Sequence, residues 1–200
     1  MAFYRREKMK AVKILPESYK EIYSVDLQKD KKMALLVNAM AVIIAILMAV
    51  PMNSFVPISS LFSMEDGFGS YFLRFFALIL LIIAYMVVHE LIHGVAMKIC
   101  GTQKIKYGYT GMYAFAGSDD YYGKGAYIFI ALAPVVLLGI VLAAVIPFVP
   151  DEWFWVFYFI QITNISGAAG DFFVTVKFAG FPKDILVKDY GVSMVVYSQK

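Results

Sequence analysis

The sequence predicts an all-α membrane protein with four transmembrane helices, a small β-hairpin between the second and third, and short strands at the C-terminus. Of the 200 residues, 61% are hydrophobic and 16% are charged, and the mean hydropathy is +0.71. These values lie outside the range of soluble domains. Apolar runs of about twenty residues are long enough to cross a hydrocarbon layer of about 30 Å. The single cysteine, Cys100, excludes an internal disulfide framework and a cysteine metal cluster.

Residues 1–32 form a charged arm in which acidic side chains interrupt the basic ones. This mixture argues against nucleic-acid binding. Apolar residues recur near helical spacing, so the arm predicts an amphipathic helix at the cytoplasmic interface; they are Ile14, Leu15, Tyr19, Ile22, Tyr23 and Leu27. The first apolar run begins at Met33, which is too late for a cleaved signal peptide, so we interpret it as a retained span.

Four apolar runs define a membrane domain over residues 33–181, with spans at 33–52, 71–99, 126–149 and 153–177. Pro134 lies inside the third span, where a membrane helix tolerates it as a kink. Every Lys and Arg except Arg74 lies at or beyond one face of this domain, which the positive-inside rule assigns to the cytoplasm. We therefore expect a multi-pass protein of the cell membrane with both termini cytoplasmic. Arg74 is expected to snorkel to the outer interface.

Alternating side chains replace the helical pattern in two places. Residues 104–115 are rich in tyrosine and glycine and predict a hairpin between the second and third spans. Residues 185–187 and 192–197 flank a turn and predict short strands in the cytoplasmic tail, residues 182–200.

His89, Glu90 and His93 form an HExxH motif within the second span, and these two histidines are the only ones in the chain. Residues four apart share a helix face, so both imidazoles can bind one ion while Glu90 handles a proton. Polar groups at this depth are unfavourable unless a partner compensates them, which a metal ion would do. The alternative is a chance match in which the three side chains satisfy one another without an ion.

A hydrolytic zinc site usually has three protein ligands and a water molecule, and no third histidine is available here. Cys100 lies about 10 Å further along the helix than His93 and cannot reach the same ion. Asp171 is the one acidic residue inside an apolar run on the correct half of the membrane, so we favour it over Asp119, Asp120 and Glu152. The alternative role for Asp171 is to cap a broken helix.

The HExxH motif, with Asn164 and Asp171 in a later span, resembles the site-2 protease group of intramembrane zinc metalloproteases. The fuller pattern of arm, four spans, tyrosine-rich hairpin and the stretch from 164 to 171 resembles the small bacterial zincin peptidases grouped as the DUF3267 family. This resemblance implies that His89, His93 and Asp171 bind the metal and that Glu90 is the catalytic glutamate. It also implies that Asn164 lies near the reacting carbonyl. Site-2 proteases usually carry a proline-rich stretch and a Leu-Asp-Gly sequence there, whereas this chain has Gly-Asp-Phe.

The function predicted is that of a zinc-dependent intramembrane metallopeptidase that cleaves a membrane-protein or peptide substrate near the cytoplasmic side. Counting back from Lys98, the histidines lie roughly 8 to 14 Å inside that face. The hairpin either offers an edge to an extended substrate or closes the helix bundle. Two alternatives remain open: a metal-binding membrane regulator or scaffold without proteolytic activity, and a zinc hydrolase acting on lipid. Two histidines and a carboxylate also suit several first-row metals.

Overall fold

The computed structural model of the protein describes residues 10–111 and 113–199. Within these residues there are five α-helices: α1 (Lys31–Met52), α2 (Phe68–Ile99), α3 (Lys124–Val145), α4 (Asp151–Gly167) and α5 (Ala169–Ala179). The strands are β1 (Lys20–Asp26), β2 (Lys106–Tyr109), β3 (Ala114–Gly117), β4 (Tyr121–Gly123), β5 (Leu186–Asp189) and β6 (Ser193–Ser198). The molecule is therefore mostly helical, with antiparallel strands before, between and after the helices.

Three helices in the described part of the chain are long and apolar enough to cross a membrane: α1, α2 and α3 extended to Phe148. They correspond to the first three predicted spans. The fourth predicted span is not one helix, because α4 ends at Gly167 and α5 begins at Ala169. Gly167 and Gly170 flank this break, and glycine is among the residues that least favour a helix interior.

Local sequence explains where the first helix begins and where the helix that carries both histidines ends. Asp30 caps α1, since its side chain accepts hydrogen bonds from the backbone N–H groups of Lys32 and Met33. At the end of α2, Gly101 adopts a φ of +92°. Its N–H donates to the Lys98 carbonyl, and the N–H of Thr102 donates to the Met97 carbonyl. These two bonds form a Schellman motif that ends α2 at Ile99, six residues after His93.

A four-stranded antiparallel sheet has the strand order β1-β6-β5-β4. The amphipathic helix expected in the arm is wrong for Lys20–Asp26, because these residues are β1 and pair with β6 from Lys20↔Ser198 to Asp26↔Ser193. Cross-strand pairing has overridden the helical spacing of the apolar residues. Residues 1–9 of the arm lie outside the described residues. The strands expected in the tail are present as the β5–β6 pair.

A separate two-stranded sheet joins β2 to β3, with Lys106 opposite Gly117 and Tyr109 opposite Ala114. It lies between the second and third membrane-type helices, as the alternating sequence predicts. Its strands occupy slightly later positions than the predicted 104–115 segment.

The contacts group the chain into two compact units. Among the described residues, one unit contains 10–36, 90–111, 113–134 and 171–199, and its core packs sheet residues such as Tyr122 and Val187 against Met97, Ile130 and Phe178. The other contains residues 37–89 and 135–170. Its core surrounds Trp155, whose indole N–H donates to the Val56 carbonyl at 3.0 Å.

Arg74 contacts polar groups of the loop before α2, and its snorkelling to the outer interface stays a prediction. Its side chain is completely buried. The guanidinium donates to the Ser63 carbonyl and lies 3.6 Å from the Asp66 carboxylate. The loop before α2 therefore supplies one hydrogen-bond acceptor and one opposite charge to the guanidinium.

Candidate metal centre

His89 occupies α2 and is buried. Its Nδ1 lies 2.8 Å from the hydroxyl of Tyr85, one helical turn earlier. The i and i−4 spacing explains this contact, because residues four apart are neighbours on a helix surface. A hydrogen bond at Nδ1 leaves Nε2 as the nitrogen that can meet a metal ion.

His93 follows one turn later and is held at Nδ1 by another helix. Its Nδ1 lies 2.9 Å from the backbone carbonyl oxygen of Ile130 in α3. A carbonyl can only accept, so Nδ1 must carry the proton in this bond. The Nε2 atom of His93 lies 3.8 Å from Oδ1 of Asp171. The ring is therefore oriented with Nε2 toward the carboxylate.

Asp171 lies in the first turn of α5, directly after the helix break. Its side chain is 23% exposed. The positive end of the α5 dipole favours a negative charge at this position. The break thus lets a carboxylate stand at a helix N-terminus inside an otherwise apolar stretch.

One ligand atom from each of His89, His93 and Asp171 can be chosen so that all three lie within 4.8 Å of one another. Tetrahedral zinc with ligand bonds near 2.1 Å holds its ligand atoms roughly 3.4 Å apart. The three atoms therefore need to approach by at most roughly 1.4 Å, a movement that side-chain rotations can supply. In the described residues this is the one such group of three or more potential ligands. Its donor set, two imidazoles and a carboxylate, fits a catalytic zinc ion.

Glu90 follows His89 on α2 and is partly buried. Asn164 lies in α4 and is completely buried. Its Nδ2 donates to the Val135 carbonyl at 3.1 Å, while its Oδ1 is a buried acceptor that has no hydrogen-bond partner among residues 10–111 and 113–199. The catalytic roles of Glu90 and Asn164 stay predictions.

The three carboxylates that the sequence offered as alternatives to Asp171 lie elsewhere. Asp119 forms an ion pair with Lys106 at 2.7 Å, and this hydrogen-bonded lysine lowers the pKa of the exposed carboxyl. Asp120 pairs with Lys13 at 2.6 Å, and Glu152 lies in the first turn of α4. None of the three belongs to the histidine group.

A second polar cluster, unforeseen from the sequence, surrounds Asp189 at the end of β5. Its carboxylate accepts hydrogen bonds from the Tyr127 hydroxyl and from the Gly191 N–H, each at 2.7 Å. Burial raises the pKa of Asp189 to about 6, and the charge of Asp171 acts in the same direction. In sequence this residue reads as part of an Asp-Tyr-Gly turn. Nothing in that local pattern indicates burial.

Sequence reasoning also missed the groups that hold the histidines. Tyr85 lies four residues before His89, a spacing that could have suggested the contact. Tyr107 of β2 packs its hydroxyl against Gly94, where any Cβ would overlap it. Gly94 is adjacent to His93, so the β2–β3 hairpin reaches the helix beside the site. This closeness depends on chain folding and has no local signal.

These features define a class: a mostly helical protein with three membrane-type helices and an HExxH motif whose histidines meet a distal aspartate. A family model, DUF3267, described as "Putative zincin peptidase", matches residues 82–186. The chain belongs to this family. The matched segment includes His89, Glu90, His93, Asn164 and Asp171. No curated protein and no solved structure matches the chain significantly.

Proposed function

We propose that this protein is a zinc-dependent intramembrane metallopeptidase that hydrolyses a peptide bond near the cytoplasmic side of the membrane. The observation that carries the proposal is the convergence of His89, His93 and Asp171, whose ligand atoms lie within 4.8 Å of one another. Membership of a family named for zincin peptidases supports the same reaction class.

The chemistry follows from the residues around this group. When bound, zinc polarises a carbonyl oxygen and lowers the pKa of water toward neutrality. Glu90 takes a proton from the attacking water and delivers it to the leaving amine. Asn164 is proposed to orient the substrate peptide through its Oδ1, a buried acceptor that has no hydrogen-bond partner in the described part of the chain and that a substrate N–H reaches once the site opens. Tyr85 and the Ile130 carbonyl keep the two imidazoles in position.

The sheet supports the proposed orientation. It joins β1, which precedes α1, to β4, which lies between α2 and α3, and to β5 and β6, which follow α5. If the helices cross a membrane, these segments must therefore share one face. The positive-inside rule assigns that face to the cytoplasm. In this arrangement α4 and α5 together make the fourth crossing, which brings β5 and β6 back to the cytoplasmic face.

Substrate binding is proposed to involve the β2–β3 hairpin. A two-stranded sheet has an outer edge on each strand, and an extended peptide can add to such an edge by main-chain hydrogen bonds. Contact between Tyr107 and Gly94 brings β2 to the helix that carries Glu90. A membrane-protein segment unwound at the cytoplasmic interface has the required extended form.

The Glu90→Gln variant tests the mechanism. The purified full-length protein is loaded with zinc and assayed on a library of membrane peptides, and bound zinc is measured in parallel. We expect E90Q to keep its zinc and to lose cleavage by at least about 100-fold. The matched control is Glu152→Gln, which changes a glutamate in the first turn of α4 and should leave both properties unchanged.

Full cleavage by zinc-loaded E90Q would contradict the mechanism. A wild-type protein that binds one zinc per chain but cleaves no peptide in the library would instead favour a metal-dependent regulator or scaffold. Release of fatty acid from lipid vesicles, without peptide cleavage, would favour a lipid hydrolase.

A further inference from the structure

The backbone carbonyl that contacts His93 lies four residues before a proline in its own helix. Ile130 lies in α3, which contains Pro134 in its interior. In an α-helix the carbonyl of residue 130 accepts from the N–H of residue 134. Proline has no N–H, so the Ile130 carbonyl lacks its α-helical donor.

The carbonyl that lacks its helical donor is the one that contacts His93 on α2. The Ile130 carbonyl oxygen lies 2.9 Å from Nδ1 of His93. Both Ile130 and Pro134 are buried, so bulk water cannot donate to the Ile130 carbonyl in place of the missing backbone N–H. An unsatisfied buried carbonyl is unfavourable. The His93 N–H therefore satisfies a group that the proline leaves open.

The effect on His93 is chemical as well as steric. Because the carbonyl accepts only, it selects the neutral imidazole that carries its proton on Nδ1. The lone pair is then on Nε2, the nitrogen that faces Asp171 at 3.8 Å. A metal-binding histidine usually donates its second ring N–H to such an acceptor, which fixes the tautomer and the ring orientation.

We propose that Pro134 is a positioning residue of the metal centre: by removing a helical N–H it frees the Ile130 carbonyl to hold His93 in its Nδ1–H tautomer. This inference rests on the proposed metal site. Its first consequence, the tautomer of His93, is a property of the metal-free protein and is independent of peptidase activity.

The test uses the full chain labelled with ¹⁵N only at histidine, in detergent micelles, with zinc removed, at about pH 9, where an unperturbed imidazole is neutral. Only two rings contribute signals, because the chain has two histidines. Long-range ¹H–¹⁵N spectra distinguish Nδ1–H from Nε2–H. In the wild type we expect His93 to be mainly Nδ1–H. In Pro134→Ala, whose new N–H competes for the Ile130 carbonyl, the population shifts toward Nε2–H.

The same variant should bind zinc 10- to 100-fold more weakly, the usual effect of losing a partner behind a metal ligand. His89 is an internal control, since its Nδ1 contacts Tyr85 and should keep its spectrum. Pro51→Ala is the matched control, because Pro51 also lies inside a helix, α1, and should change neither property. Pro134→Gly restores the same N–H and serves as a second variant if P134A does not fold.

A wild-type His93 that is mainly Nε2–H would overturn the inference. So would unchanged tautomers in both variants, or a tautomer shift that leaves zinc affinity unaltered. Loss of peptidase activity in E90Q has no bearing on these spectra. Failure of the proposed function and failure of the positioning role are therefore separate results.

Discussion

Replacing Asp189 by asparagine should raise the stability of the protein at neutral pH. Burial raises the pKa of this carboxyl group to about 6, compared with 3.8 for an unperturbed group. The charge of Asp171 acts in the same direction, and the hydrogen bonds from Gly191 and Tyr127 oppose the shift only in part. A raised folded-state pKa means that the folded protein binds the proton more tightly than the unfolded chain. Below about pH 4 the carboxyl group is protonated in both states and does not destabilise the fold. As the pH rises toward 6 the group ionises, and the free energy of unfolding falls.

The magnitude follows from the shift. A difference of 6 − 3.8 = 2.2 pKa units corresponds to at most about 3 kcal/mol at 1.36 kcal/mol per unit. Part of the Asp189 side chain remains accessible to solvent, which screens its charge, so this free energy is an upper bound. Asparagine keeps an oxygen for the Gly191 N–H, and its amide can donate to the Tyr127 oxygen in place of the present bond. The variant thus removes the charge with little change in shape.

The assay is thermal unfolding of zinc-free protein in detergent between about pH 4 and pH 8. For a chain of 200 residues, 1 kcal/mol corresponds to about 2 to 4 °C, so D189N should melt up to about 6 to 12 °C above the wild type at pH 8. The two melting temperatures should converge near pH 4. Asp119→Asn is the control, because Asp119 is exposed and its pKa is lowered by Lys106, so it should not stabilise. Parallel pH curves for D189N and wild type would refute the reasoning.

Three further substitutions probe the site. Asp171→Ala should remove the third ligand, so zinc retained by dialysis should fall from one ion per chain to a small fraction; unchanged zinc content would exclude Asp171 as a ligand. Tyr85→Phe removes the hydroxyl 2.8 Å from His89 Nδ1 and should weaken zinc binding 10- to 100-fold in a competitive chelator titration, and equal affinity would contradict the contact. Gly94→Ala should displace the Tyr107 ring, which is half exposed and free to swing outward, so stability should change by less than about 1 kcal/mol. A fluorinated Tyr107 should report the displacement, and an unchanged ¹⁹F signal would show that the overlap is absent.

The elements that local sequence specifies were predicted well. The spans at 33–52, 71–99 and 126–149 correspond to α1, α2 and α3, because a long apolar run has few alternatives to a helix. The convergence of His89, His93 and Asp171 follows partly from local rules too. Helical spacing places the histidines on one face, and an acidic residue in an apolar stretch requires a partner.

The remaining features depend on contacts between distant segments. Strand β1 forms because β6, about 170 residues later, offers an edge; its own sequence also suits an amphipathic helix. Arg74 is buried because the loop at Ser63 and Asp66 covers it. The break between α4 and α5 was partly foreseeable from the two glycines, yet the extent of each helix was not. Pro134 indicates that the Ile130 carbonyl lacks its helical donor, but the contact of this carbonyl with His93 has no sequence signal.

The pairing of β1 with β6 also constrains the order of biogenesis. β1 is synthesised before the first helix, and β6 emerges only after the fifth. During translation β1 cannot pair with β6 until residue 198 has been synthesised. Its backbone N–H and C=O groups therefore stay without their partner strand until then. The sheet is therefore completed late, only after all five helices between the two strands have been synthesised.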